Sequence, residues 1–148
     1  MSEVVLEPLK AAHLPLVEPW FDDPETRRRL GGRDWPVQAL ALAASPPPGT
    51  DRYGLLARIG QEAVGLADLE VAHDGAASLA LLVAPGRRRC GVGSAILAQV
   101  LALPAVAGRP LALGVEPGNA ASMRLLERAG LVPNEVDADG YVVYGRAG

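Results

Sequence analysis

The sequence predicts a single α/β domain built on a mixed, mostly antiparallel sheet of about six to seven strands flanked by helices. Three observations predict it. Residues 53–59, 63–71 and 77–84 are apolar runs of strand length, separated by Gly60-Gln61-Glu62 and His73-Asp74-Gly75. Short glycine-bearing breaks of this kind join hairpins, so the middle of the chain reads as an antiparallel meander. From residue 91 onward, helical and strand patterns alternate, which adds crossovers and makes the sheet mixed. The length of 148 residues, with 49% hydrophobic and 21% charged residues, suits one domain with one core.

The elements follow in order. Residues 4–6 open a short strand ended by Pro8. Residues 11–20 carry Leu14, Leu16, Val17 and Trp20 at mixed helical spacing, interrupted by Pro15 and Pro19. Asp23-Pro24-Glu25 is a helix start, with an N-cap acid, a proline at the first position and a second acid in the first turn. Gly31-Gly32 stops that helix. Asp34-Trp35-Pro36 starts another, over residues 37–44, and Ser45-Pro46-Pro47-Pro48-Gly49 is loop. The run 77–84 is apolar on both faces and reads as a central buried strand. Residues 91–103 form a helix with Ile96, Leu97, Val100 and Leu101 on one side. A buried strand over 111–115 and a helix over 119–129, ended by Gly130, come next. Strands 131–136 and 141–145 close the chain around the turn Asp137-Ala138-Asp139-Gly140.

Composition narrows the function. The net charge is −3 and the pI is near 5.4, so no general basic surface attracts nucleic acid. Arg58, Glu62, Asp68, Glu70 and Arg87 to Arg89 interrupt every apolar stretch short of a membrane span. Met1-Ser2-Glu3-Val4-Val5 shows no basic leader, and the reading is cytoplasmic. The single Cys90 makes no internal disulfide, and with His13 and His73 it offers no zinc-ligand spacing, so no metal is expected.

The chemistry concentrates where strand 77–84 runs through a tight loop into the helix at 91. Gly91 and Gly93 leave two alternate positions of the first turn without side chains. The unpaired N–H groups and partial positive charge of that turn suit a phosphate or pyrophosphate. Arg87, Arg88 and Arg89 add charge at the end of a helix where cations are unfavourable, which points to an anion that offsets them. Ile96 stands where a dinucleotide fingerprint needs glycine, and no Gly-Lys-Ser/Thr exists, so neither nucleotide motif applies.

Arg88-x-x-Gly91-x-Gly93, directly after Val83-Ala84-Pro85, resembles the acetyl-CoA-binding motif Gln/Arg-x-x-Gly-x-Gly/Ala of the GNAT superfamily of N-acetyltransferases. The segment from Val115-Glu116-Pro117-Gly118-Asn119 through Glu127-Arg128-Ala129-Gly130-Leu131 is similar to that family's strand, Asn-capped helix and following turn. The similarity is strong over residues 53–135. Before that, Pro19-Trp20-Phe21-Asp22-Asp23-Pro24-Glu25-Thr26 resembles members acting on aminoglycosides and ribosomal proteins.

The resemblance implies a fold whose sheet is splayed at its central strands, with acetyl-CoA as co-substrate. Backbone N–H groups of Arg89, Cys90, Gly91, Val92, Gly93 and Ser94, with Arg88, would hold the pyrophosphate. The pantetheine arm would pair with the backbone of Leu81, Leu82 and Val83. The thioester would lie near the C-terminal end of that strand, where an N–H around Val83 could polarise its carbonyl. Asn119 would contact the arm or serve only as helix N-cap.

The acceptor implied is a primary amine of a small molecule or protein N-terminus, mostly ammonium at neutral pH, so a base must take its proton. Strand 77–84 has no carboxylate. Asp68 and Glu70, on one face of the preceding strand, are the candidates, and Glu70 is preferred as nearer the strand's end. Leu126 stands where the family often has a tyrosine acid. Ser122, Tyr141 or Tyr144 could protonate the leaving thiolate instead. Glu18, Asp22, Asp23, Glu25 and Asp34 make the N-terminal region acidic, as would suit a cationic acceptor. A non-catalytic acyl-CoA-binding module is the alternative, and a second copy of the chain is a candidate partner.

Overall fold

The meander expected between residues 53 and 84 forms the spine of a seven-stranded sheet. The computed structural model describes residues 3–88 and 90–147. In chain order the elements are β1 (Val4–Pro8), α1 (Leu14–Val17), α2 (Pro24–Arg29), α3 (Asp34–Ala44), β2 (Thr50–Ile59), β3 (Glu62–Ala72) and β4 (Ala77–Val83). Then come α4 (Val92–Leu101), β5 (Leu111–Val115), α5 (Ala120–Arg128), β6 (Val132–Val136) and β7 (Val142–Arg146). The strands lie in the order β1-β2-β3-β4-β5-β7-β6. Every neighbouring pair is antiparallel except β4 with β5. β4 is therefore the central strand, as its two apolar faces require.

The helix expected over 11–20 is broken into pieces. A 3-10 turn at Ala11–His13, α1 and a 3-10 turn at Glu18–Asp22 replace it. Pro15 and Pro19 each remove a donor and clash with a preceding carbonyl, so each of the last two pieces restarts with proline in its first turn. α2 begins as expected, with the Asp23 carboxylate accepting the Thr26 N–H at 3.0 Å. β6 is exposed along its whole length because it is the sheet's outer edge.

Two apolar layers hold the sheet. Ile96, Leu97 and Val100 of α4 pack on one face with Leu69, Val71 and Leu111. Phe21, Val17 and Leu9 pack on the other with Leu56, Leu66 and Leu82. Gly65 sets the height of α4, since a Cβ there would meet Ile96 Cδ1 at 2.5 Å and the Leu82 carbonyl oxygen at 2.6 Å. At such distances a side chain would push helix and strand apart. The sheet and α4 are thus fixed, and β4 is free to diverge from β5.

Candidate active site

β4 and β5 pair only at Ala77–Leu111 and Ser78–Ala112, then separate. Two bonds set the phase of β4: Ala84 N–H donates to the Val64 carbonyl at 2.8 Å, and Ala77 N–H to the Pro110 carbonyl at 2.7 Å. By strand alternation, Ala80, Leu82 and Ala84 turn their amides to β3, while Leu81 and Val83 turn theirs into the gap. A cleft of about 820 Å³ follows this gap, bounded by residues 79–83 of β4, the end of β5, the first turn of α4 and the start of α5. The splayed sheet expected from the resemblance is present.

The two glycines of the loop have different tasks. Gly91 is the N-cap of α4 in the left-handed region (φ 78°), and no atom lies within 4 Å of where its Cβ would stand. That side is open to a ligand. Gly93 is buried, and a Cβ there would come within 2.7 Å of Leu125 Cδ1. It lets α5 lie close against α4. Val92, Gly93 and Ser94 line the cleft with no acidic residue in the turn.

Arg87 and Arg88 each have carboxylate partners within the chain, so their charge by itself does not call for an anion. Arg87 makes a two-pronged pair with Glu62 at 2.8 and 2.5 Å and holds that carboxyl below its ordinary range. Arg88 reaches Asp23 at 2.7 Å, Thr26 Oγ1 at 3.1 Å and Glu25 at 3.2 Å. The Arg88 guanidinium, helped by the Thr26 N–H, pulls the Asp23 carboxyl down to about 2. The acidity of the N-terminal region is likewise largely neutralised, since Asp22 pairs with Arg33 and Glu25 also with Arg29. Arg28 and Arg29 both reach Glu116 at the end of β5. Arg89 lies outside the described residues. Cys90 is exposed, its thiol 3.5 Å from the Arg88 carbonyl oxygen, and it faces no base among the described residues.

Asn119 caps α5, accepting the Ser122 N–H at 3.3 Å and donating to Ser122 Oγ at 2.9 Å. Both residues line the cleft. Because Ser122 Oγ accepts from Asn119, its own hydrogen is free to point elsewhere. Leu126 is buried and fills its place with hydrocarbon. Tyr144 is not available to the cleft: it is buried and donates to Glu127 at 2.9 Å, and burial with that carboxylate pushes its hydroxyl up. Tyr141 lines the cleft, its hydroxyl 3.4 Å from the Arg29 carbonyl oxygen.

Across the sheet, on the face away from α4, a second cavity of about 360 Å³ meets the first along Leu79, Ala80, Leu113 and Gly114. Its polar wall is Arg52, Asp68 and Glu70. Arg52 donates to Asp68 at 2.8 Å and to Glu70 at 3.2 Å. Asp68 is 15% exposed and Glu70 41%, so Glu70 presents the more accessible carboxylate. Glu70 stands opposite Ser78, at the point where β4 and β5 part. Ser122 lines the cleft and Glu70 the second cavity, and the two spaces meet between β4 and β5. Sequence reasoning missed Arg52 and Asp137, which both line this cavity. The available signal for Arg52 was a cation at the head of one apolar run, with two acids at alternate positions of the next.

Among the described residues, no cluster of three or more His, Cys, Asp or Glu could hold a metal ion, and no helix is long and apolar enough to cross a membrane. No curated protein matches the chain in sequence. An acetyltransferase from Thermus thermophilus superposes with a TM-score of 0.76 at 22% identity, over 99% of both chains. The aminoglycoside acetyltransferase AAC(6')-Ib, in complex with coenzyme A and kanamycin, superposes at 0.73 with 18% identity, over 97% of this chain and 93% of that one. A spermidine N-acetyltransferase chimera from Vibrio cholerae and hSSAT also gives 0.73, at 15% identity over 97% and 93%. These likenesses show the fold. The family model for the acetyltransferase (GNAT) family matches residues 14–131, most of the chain, and the protein belongs to that family.

Proposed function

We propose that the protein transfers an acetyl group from acetyl-CoA to a primary amine by direct attack within a ternary complex. The observation that carries this reading is the gap between β4 and β5, which opens at one end onto the bare N-terminus of α4 and at the other onto the Glu70 carboxylate. The residues present fit the coenzyme. Leu81 and Val83 offer unpaired backbone groups to an extended arm, and the open side of Gly91 admits a phosphate to the N–H groups of the first turn. When bound, acetyl-CoA supplies an activated thioester carbonyl.

Val83 Cγ2 is 3.4 Å from the Cβ position of Gly93, so Val83 belongs with the phosphate-holding turn. In this reading the thioester lies deeper in the gap than Val83. The N–H nearer the closed end of the gap, on Leu81, is the better donor to a developing oxyanion. Glu70 takes the proton of the acceptor ammonium, since it is the exposed carboxylate beside the point of divergence. Ser122, its oxygen already satisfied by Asn119, points its hydrogen toward the departing thiolate and steadies it by a hydrogen bond, while the thiolate takes the second proton of the attacking nitrogen as the C–S bond breaks and the amide forms.

The experiment is thiol release from acetyl-CoA across a panel of primary amines. Turnover on any of them supports transfer. Tight coenzyme binding with no turnover on the whole panel would favour a non-catalytic acyl-CoA-binding module, the reading to which the buried Leu126 lends weight.

A further inference from the structure

The second cavity exists because four small residues form its floor. Ser78 and Ala80 of β4, and Ala112 and Gly114 of β5, all turn to the face away from α4, and their short side chains leave the space open. Its charged lining is unbalanced. Among the described residues one cation, Arg52, stands against the three carboxylates Asp68, Glu70 and Asp137. Arg52 is committed to Asp68 and Glu70. Asp137 stands apart, on the turn between β6 and β7. Its Oδ1 accepts the N–H groups of Asp139 and Tyr141, both at 2.9 Å, and its Oδ2 is 3.9 Å from the Cβ position of Gly114. The carboxylates thus flank the gap from two sides. β3 and β5 are two strand spacings apart where β4 pairs with both, roughly 10 Å, and farther where β4 and β5 diverge.

Resting on the reading of the site as an amine acetyltransferase, we propose that its acceptor is a small amine carrying a second positive charge. The reacting ammonium lies against Glu70, and the distal one is held by Asp137. A single ammonium would leave the lining with a net negative charge, whereas two balance it. A monoamine of equal length fills the same volume but brings no positive charge to Asp137.

The test compares kcat/KM for diaminobutane and butylamine in the wild type and in Asp137→Asn. Asparagine keeps the Oδ1 acceptor for both turn bonds, so the variant removes charge rather than structure. The wild type is expected to favour the diamine about two- to fivefold, a typical magnitude for one partly exposed ion pair, and Asp137→Asn to bring the ratio toward one. A wild type that does not distinguish the two amines, or a ratio unchanged in the variant, overturns the inference. Calorimetric titration of the same amines into the CoA-saturated protein gives the preference without turnover. There, failure of diaminobutane to bind overturns the dication site even though CoA is held. Failure of CoA itself to bind overturns the acetyltransferase reading instead, and diaminobutane binding to the free protein still reads the site.

Discussion

Arg88 of the Arg-x-x-Gly-x-Gly loop is bound to Asp23, the N-cap of α2, with Nη2 2.7 Å from Oδ2. The motif arginine therefore ties the loop before α4 to the helix that borders the cleft. Asp23 serves both as cap and as ion-pair partner. Asp23→Ala is expected to destabilise the fold by about 1–2 kcal/mol at neutral pH, the cost of an N-cap with a partner attached. Because the folded carboxyl titrates at about 2, below its unfolded value, the stabilisation is present above the ordinary carboxylate range. It is lost as pH falls from about 4 towards 2. Urea melts of the wild type and Asp23→Asn over that window should converge; a constant difference would exclude the ion pair as the cause.

The glycines predict two different phenotypes. Gly91→Glu places a carboxylate on the open side of the α4 N-terminus, where it repels phosphate, so CoA affinity should fall about tenfold or more, and the left-handed backbone at φ 78° adds a stability cost of about 1 kcal/mol or more. Gly93→Ala pushes a methyl group against the end of the Leu125 side chain, which can turn aside, and with the helix propensity gained it should change stability by less than about 1 kcal/mol and leave CoA affinity largely intact. Equal effects of the two variants on CoA affinity, measured on folded protein, would refute this division.

Glu70→Gln should lower kcat by about a hundredfold or more at neutral pH with CoA affinity intact, as loss of a general base does. An unaltered pH–rate profile would remove Glu70 from the mechanism.

Tyr144→Phe removes the hydroxyl that donates to Glu127, and neither residue lines the cleft. The urea midpoint should drop while the rate of acetyl transfer stays the same. A rate defect in a folded variant would mean that Tyr144 reaches the reaction after all.

The sheet is legible in the sequence because its periodicity is strong. The runs at 53–59, 63–71, 77–84 and 111–115 alternate or bury completely, and β5 has the boundaries its apolar run predicts. The loop glycines are legible as a pair, though Gly93 serves helix packing. Residues 11–22 mislead because two prolines override the helical spacing of Leu14, Val17 and Trp20. The partners of the arginines are invisible in sequence: Arg87 finds Glu62 and Arg88 finds Asp23 only after the chain folds, across 25 and 65 residues. Asp137 reads in sequence as an ordinary turn acid. Only the register of β5 with β7, which sets Gly114 beside Val143, shows that the turn borders the cavity.

The central claim is that the gap between β4 and β5 receives acetyl-CoA, with its phosphates at the start of α4. Calorimetric titration of acetyl-CoA into the wild type and Gly91→Glu, with ATP and NAD as controls, tests it most directly. The account predicts selective one-to-one binding of acetyl-CoA to the wild type and its loss in the variant. A folded wild type that binds no acetyl-CoA, or a Gly91→Glu variant that binds it equally well, would contradict it.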